Sequence, residues 1–322
     1  MEKTVKRVIG IDVGGTNLRG ALVTQDGRIL KRMKIPSEAH RGIDAVVDNL
    51  VNLITTIDEG NMPSGVGFGI PGIIDSRNGV ITQAPNISNV HDYPIREMLS
   101  KKLDGDTRIV IENDANCAAV GEWWMGAGRD VDSLIMLTLG TGVGGGVILD
   151  GKLWRGADGM GGEIGHMTIY PDGPRCNCGN FGCLETYSSA TAVRRMVDEA
   201  LADDTIETTL EKEVLEVEPG HIPEVVMKAA IAGDEVSKNI WEKFGTALGI
   251  GMASCVNILN VEMIVIGGGV SQAWEMFIDA ARKELTARGL RAPSERVKVM
   301  QSVLGDDEGI IGASYLALHE GY

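Results

Sequence analysis

The chain has 322 residues, 43% of them hydrophobic and 23% charged, an ordinary globular composition whose length suggests two domains. Thirty basic residues against 45 acidic ones give a net charge of −15, which argues against a nucleic-acid or anionic-membrane binder. No stretch approaches the roughly 18 uninterrupted apolar residues of a membrane helix. Val8 already opens a strand pattern where a signal peptide would need its apolar core, so a cytoplasmic location is expected.

Residues 6–14 predict a strand running into Gly14-Gly15, and Leu18 to Thr24 predicts a second. Asp26-Gly27 is a hairpin turn signal, and Ile29 to Ile35 returns. Ile43, Val46, Val47, Leu50, Val51 and Ile54 have helical spacing. Val66 to Ile70 predicts a strand entering Pro71-Gly72, Arg108 to Ile111 another strand, and Ala115 to Met125 a helix. The opening pattern then recurs about 125 residues on. Ser133 to Leu139 is a strand, Gly140-Thr141-Gly142 a turn, Gly146 to Leu149 a strand, Asp150-Gly151 a hairpin turn, and Leu153-Trp154 the return. Such a repeat predicts two similar α/β halves.

Leu184 to Leu201 and Ser237 to Leu259 have helical periodicity, with the acidic stretch Asp203 to Glu218 expected as a solvated connection. Met263 to Ile266 predicts a strand opening onto Gly267-Gly268-Gly269, with Ser271 as cap of the next helix. Asp307 to Leu318 predicts a terminal helix. On the repeat, residues 1–115 with a C-terminal helix 306–322 are expected to form a small α/β domain. Residues 116–305 are expected to form a large one.

Three glycine turns follow strands: Asp12-Val13-Gly14-Gly15-Thr16, Gly140-Thr141-Gly142 and Gly267-Gly268-Gly269. Bare glycine backbone lets N–H groups converge on phosphate oxygens, and a threonine hydroxyl adds a donor. Asp12 before the first turn suits a hydrated Mg²⁺. One such turn is no more than a tight hairpin; two in a repeated unit plus a third favour a nucleotide site. No Gly-x-x-x-x-Gly-Lys-[Ser/Thr] occurs. Gly140 to Gly145 and Gly67 to Gly72 match a dinucleotide fingerprint by letter, but the first runs into a strand and the second contains Pro71.

Glu112-Asn113-Asp114-Ala115-Asn116 sits where a strand meets a helix. Asp114 reads either as an N-cap or as a carboxylate at a strand's C-terminal end, where α/β proteins place ligands. In the second reading it takes the proton of a phosphoryl-accepting hydroxyl, with Asn113 beside it to bond a polyol. Cys176, Cys178 and Cys183 lie within eight residues of one another, just after His166. Three thiolates and an imidazole complete a closed tetrahedral Zn²⁺ shell with no open position, hence a structural ion. The alternative, three reduced surface cysteines, leaves the spacing unexplained. Glu163 and Glu185 flank that loop and would be held close together to bind sugar hydroxyls.

These motifs resemble the ROK family of sugar kinases and sugar-responsive repressors. The resemblance covers nearly the whole chain and rests on Asp12 to Thr16, Glu112 to Asn116, Leu139 to Gly146, Gly162-Glu-Ile-Gly-His166 and Cys176 to Glu185. The run Gly165 to Thr168, with Cys183-Leu-Glu-Thr-Tyr187, is most similar to the glucose-phosphorylating branch. The resemblance implies an α/β, two-domain actin/hexokinase-like (ribonuclease H-like) fold with an interdomain cleft. It implies ATP-dependent phosphorylation of a hexose at O6, with glucose the expected substrate and polyphosphate an alternative donor. N-acetylglucosamine, N-acetylmannosamine, fructose and allose remain alternatives.

Carried over residue by residue, Asp114 matches the catalytic base, and Gly72, Asn86, Asn113, Glu163, His166 and Glu185 match the sugar side. Asp12, Gly14, Gly15, Thr16, Gly140, Thr141, Gly142, Gly267, Gly268 and Gly269 match the nucleotide side. His166, Cys176, Cys178 and Cys183 match zinc ligands, and the ion is expected to act on sugar affinity rather than ATP affinity. One departure is Asn86-Ile87-Ser-Asn-Val90, which lacks the tryptophan that glucose-specific members often carry there. A repressor would need an N-terminal DNA-reading segment, and only seven residues precede the first core strand. An actin-like filament or chaperone ATPase would need neither the zinc loop nor its carboxylates. Members of the family often pair, so a homodimer is a candidate assembly.

Overall fold

A computed structural model describes residues 6–319 apart from 60–62, 85, 86, 88, 89, 104–106, 204, 212, 213 and 215. The chain begins with strands β1 (Arg7–Val13), β2 (Asn17–Thr24) and β3 (Ile29–Pro36), helix α1 (Ile43–Ile57) and strand β4 (Gly65–Ile70). Short strands β5 (Ile73–Asp75), β6 (Val80–Gln83) and β7 (His91–Tyr93) follow, then α2 (Ile95–Lys102), β8 (Arg108–Asn113) and α3 (Asp114–Met125). Next come β9 (Leu134–Leu139), β10 (Val143–Leu149), β11 (Lys152–Leu153), α4 (Ala190–Leu201), α5 (Ile222–Ile231) and α6 (Glu235–Leu259). The last elements are β12 (Met263–Gly267), α7 (Trp274–Arg288), α8 (Arg291–Arg296), β13 (Lys298–Gln301) and α9 (Glu308–His319).

The two five-stranded sheets share one layout, β3-β2-β1-β4-β8 and β11-β10-β9-β12-β13. In the first, β1 pairs antiparallel with β2 and parallel with β4, which pairs parallel with β8. In the second, β12 lies parallel to both β9 and β13. The repeat predicted from the glycine turns is therefore a repeat of whole sheets. Strands β5, β6 and β7 make a third, antiparallel sheet. No helix among the described residues is long and apolar enough to cross a membrane.

The chain divides into two compact units, Met1–Asp132 with Gly146–Gly162 and Val303–Tyr322, and Ser133–Gly145 with Glu163–Ser302. In the first unit the side chains of β1 alternate between two cores, as pleating requires. Ile9, Ile11 and Val13 join Val46, Val47, Leu50, Leu53, Ile54 and Ile57 of α1. Val8 joins Ile310, Ile311 and Ala317 of α9. The apolar positions of α1 recur every three to four residues, which is why that segment folds as a helix with one buried stripe.

In the second unit Trp241 and Phe244 of α6 pack on Phe277 of α7, with ring centroids 6.2 and 5.1 Å from Phe277. The single helix expected over 184–201 is two pieces, a 3-10 turn Leu184–Thr186 and α4. Ser189 interrupts it: its backbone is extended and its Oγ accepts the N–H of Ala192 at 3.1 Å, capping α4. The acidic connection is not wholly solvated, because Leu210 and Val214 are buried.

Candidate active site and metal centre

The β8–α3 junction belongs to the first unit. Asn113, rather than Asp114, is the cap of α3. Its backbone is extended, and its Oδ1 accepts the N–H groups of Ala115 and Asn116 at 2.9 and 3.1 Å. Its Nδ2 donates to the carbonyl of Gly72 at 3.1 Å, which leaves one amide proton for a ligand. Asp114 is the first helical residue, and its Oδ1 accepts the N–H of Ala115 at 2.9 Å. A carboxyl group in the first turn of a helix lies at the positive end of the helix dipole.

Beneath it, Glu112 is fully buried. Its Oε1 accepts from Asn113 N–H, Asn116 Nδ2 and Ser76 Oγ at 2.9, 3.0 and 3.1 Å, and its Oε2 accepts from Arg155 Nε at 2.6 Å. Neither Arg155 nor Ser76 stands out in the sequence, because each is a long chain distance from its partner.

The first glycine turn lies in the same unit. Gly14 N–H donates to Asn17 O at 2.9 Å, while Ser37 donates through Oγ to Gly15 O and through its backbone to Thr16 O, at 2.6 and 2.9 Å. Asp12 Oδ2 accepts both Nε and Nη2 of Arg19, at 3.0 and 2.7 Å, and Arg19 also meets Asp306 at 3.1 Å. Burial pushes the Asp12 carboxyl above its ordinary range, with the Arg19 guanidinium working against that shift.

The second and third turns lie in the second unit. Gly140 N–H closes the turn on Gly142 O at 2.9 Å. Ala190 N–H donates to Gly140 O at 2.8 Å and Thr191 Oγ1 to Thr141 O at 2.7 Å. Gly267 ends β12, and Gly268 has φ of 80°, a left-handed conformation that favours glycine. Ser271 does not cap α7. It sits inside a 3-10 turn, Gly269–Ala273, and bonds Gly268 O through both N–H and Oγ at 3.0 and 2.7 Å. Asn86 lies outside the described residues.

The metal loop is also within the second unit. Bridges pair Thr168 with Cys183 and Arg175 with Phe181, and a turn closes from Gly179 N–H to Cys176 O at 3.0 Å. The ligand atoms of His166, Cys176, Cys178 and Cys183 all lie within 4.8 Å of one another. Cys176 Sγ is 3.6 Å from His166 Nδ1, and Cys178 Sγ is 3.7 Å from Cys183 Sγ. A tetrahedron with Zn–S near ~2.3 Å and Zn–N near ~2.0 Å has edges of roughly 3.8 Å between sulfurs and roughly 3.5 Å between sulfur and nitrogen. The four side chains therefore fit Zn²⁺. Burial, reinforced by the neighbouring Cys178 and Cys176 thiols, pushes the Cys183 thiol up to about 12, so a cation is what would hold it as thiolate.

With Nδ1 turned to the cysteines, His166 Nε2 faces Glu163, whose Oε2 is 3.9 Å away. Glu185 places Oε1 3.7 Å from Cys176 Sγ. The carboxylates of the loop thus lie beside the four candidate ligands without being needed to complete a tetrahedral shell.

Known proteins are similar to this chain along nearly its whole length. The chain is 36% identical over 310 residues to a glucokinase of Thermotoga maritima, covering 96% of each protein. It is 31% identical to a xylose repressor of Caldicellulosiruptor bescii, covering 99% of this chain and 80% of that one. The crystal structure of a ROK family glucokinase from Streptomyces griseus in complex with glucose and AMPPNP matches with a TM-score of 0.80 at 31% identity, over 98% of this chain and 100% of that one. The fold is that of the actin/hexokinase-like sugar kinases. With the family's sequence model matching residues 8–320, the chain belongs to the ROK family.

Proposed function

We propose that the protein phosphorylates a hexose at O6 with ATP, and that the hexose is glucose. The observation that carries this reading is Asp114, set in the first turn of α3 with the capping task taken by Asn113. The similarity to glucokinases, including one in complex with glucose and AMPPNP, supports the sugar and the donor. In the reaction the O6 oxygen attacks the γ-phosphorus, its proton passes to the Asp114 carboxylate, and ADP leaves.

Asn113, Glu163, His166 and Glu185 would bond the sugar hydroxyls, with Gly72 and Asn86 as further sugar contacts. The turns at Gly14 to Thr16, Gly140 to Gly142 and Gly267 to Gly269 would receive the nucleotide, with Asp12 the acidic group for its Mg²⁺. Bound Zn²⁺ would supply rigidity rather than chemistry, since its shell is closed by protein. His166 would then hold the metal through Nδ1 and offer Nε2 to Glu163 or to sugar.

The test is ADP release from MgATP with glucose, N-acetylglucosamine, N-acetylmannosamine, fructose and allose, repeated with polyphosphate as donor. Glucose is expected to give the highest kcat/KM. Phosphorylation of none of these sugars would overturn the kinase reading. Sugar binding without turnover would favour a sensor, as the repressor relatives suggest.

A further inference from the structure

Within the second unit, Val143 follows the glycine turn directly and is held by both arms of the metal loop. Glu185 Oε2 accepts its N–H at 3.0 Å. Gly165, the neighbour of His166, approaches its carbonyl so closely that a Cβ there would lie 2.0 Å from Val143 O. The turn is fitted to the same carboxylate: a Cβ on Gly142 would lie 2.1 Å from Glu185 Oε2. The segment that starts at Cys183 then holds the turn twice more, through Ala190 N–H on Gly140 O and Thr191 Oγ1 on Thr141 O. Glu185 therefore has one oxygen on the turn's exit and the other beside the metal ligand Cys176.

We propose that Glu185 is a positioning residue for the nucleotide-side turn Gly140–Gly142, and that the metal loop sets that turn as well as the sugar contacts. The inference rests on the reading of the turn as phosphate-binding. It departs from the expectation that the metal influences sugar affinity alone. A charged acceptor on the Val143 N–H fixes the exit of the turn, so that its amides are oriented before a phosphate arrives. Loosening the loop would then cost nucleotide affinity even with no sugar present.

Two measurements test this. The first is calorimetric titration of the sugar-free protein with AMPPNP and Mg²⁺ for wild type, Glu185→Gln and Glu185→Ala. Glu185→Ala is expected to weaken binding about tenfold, the scale of one lost hydrogen bond to a charged group. Glu185→Gln, whose amide oxygen still accepts the Val143 N–H, is expected to stay within about threefold of wild type. Equal affinity for Glu185→Ala and wild type overturns the proposal, because a residue that only contacts sugar leaves nucleotide binding unchanged.

The second is backbone hydrogen exchange across 140–143 in wild type, before and after a chelator removes zinc. Faster exchange on removal is expected, and unchanged exchange overturns the coupling even where the alanine variant does not fold. A protein that phosphorylates no hexose but shows this exchange response loses the sugar-kinase reading and keeps the coupling. Failure of wild type to bind AMPPNP removes the nucleotide reading itself.

Discussion

Arg155 Nε donates to Glu112 Oε2 at 2.6 Å, pairing a fully buried carboxylate with a guanidinium from the glycine-rich segment that leads toward Glu163. The same carboxylate bonds Asn113 N–H and the Asn116 side chain, so it supports the first turn of α3 on which Asp114 stands. Arg155→Met would leave the charge buried without its partner, which typically costs about 3–5 kcal/mol. A markedly lower urea midpoint is expected, together with a fall in kcat. The double variant Glu112→Gln, Arg155→Met is expected to recover part of the stability, since both charges are gone. Equal stability of Arg155→Met and wild type would show that the pair holds nothing.

Asp114→Asn is expected to fold normally and bind sugar while losing turnover. The side chain keeps its shape and its acceptor for Ala115 N–H, but a neutral amide does not take a proton. Loss of a general base costs roughly 10²–10⁴ in kcat. Steady-state kinetics beside calorimetric sugar affinity separate the two effects. Near-normal kcat would remove Asp114 from the role of base.

Much of this site is legible in the sequence because glycine turns, a strand-to-helix carboxylate and cysteine spacing are local signals. The repeated sheets follow from the same turns, since Asp26-Gly27 and Asp150-Gly151 fix where each hairpin closes. Local signals also mark the limit. Asn113 and Asp114 are both good caps, and what decides between them is that β8 stays extended through Asn113. Ser271 has the right type for a cap, but the chain makes a 3-10 turn before α7 begins. Strands β5 and β7 have three residues each, too few to show a period of two. Glu185 was legible as a carboxylate near the cysteines; its bond to Val143, across 42 positions, was not.

Asp234 caps α6 and gives the second unit an acid-sensitive anchor. Burial works to raise its pKa, but hydrogen bonds from the backbone N–H groups of Thr209 and Ser237 and from the Thr208 hydroxyl outweigh it and hold it at about 2. A carboxyl depressed on folding stabilises the native state above its unfolded pKa, and that contribution fades as pH falls through the folded value. The shift from 3.8 to about 2 corresponds to roughly 2 kcal/mol, present at neutral pH and lost between about pH 4 and 2. Asp234→Asn is expected to lose about that much at pH 7, with the gap from wild type narrowing below about pH 4. Urea unfolding of both proteins across that range measures it. A gap that stays constant with pH would mean that the charge of Asp234 contributes nothing.

Purified protein is expected to hold one Zn²⁺ per chain without supplementation, because three thiolates and an imidazole bind it tightly. Cys178 is the exposed member of the four, so Cys178→Ser removes a ligand with little loss of packing. The aromatic cluster of Trp241, Phe244 and Phe277 lies outside the loop, so the bulk of the fold is expected to survive with a lowered Tm. The loss should concentrate in the segment running from His166 to Glu185, where backbone bonds tie Leu184 to Met167 and Cys176 to Asn180. Metal analysis, a melting curve and limited proteolysis of Cys178→Ser check the three statements in turn. Cleavage inside the loop with intact flanking fragments is the expected pattern. Wild type without stoichiometric metal would show that the four side chains come together for another reason. Global unfolding of Cys178→Ser would show that the second unit depends on its metal for its core.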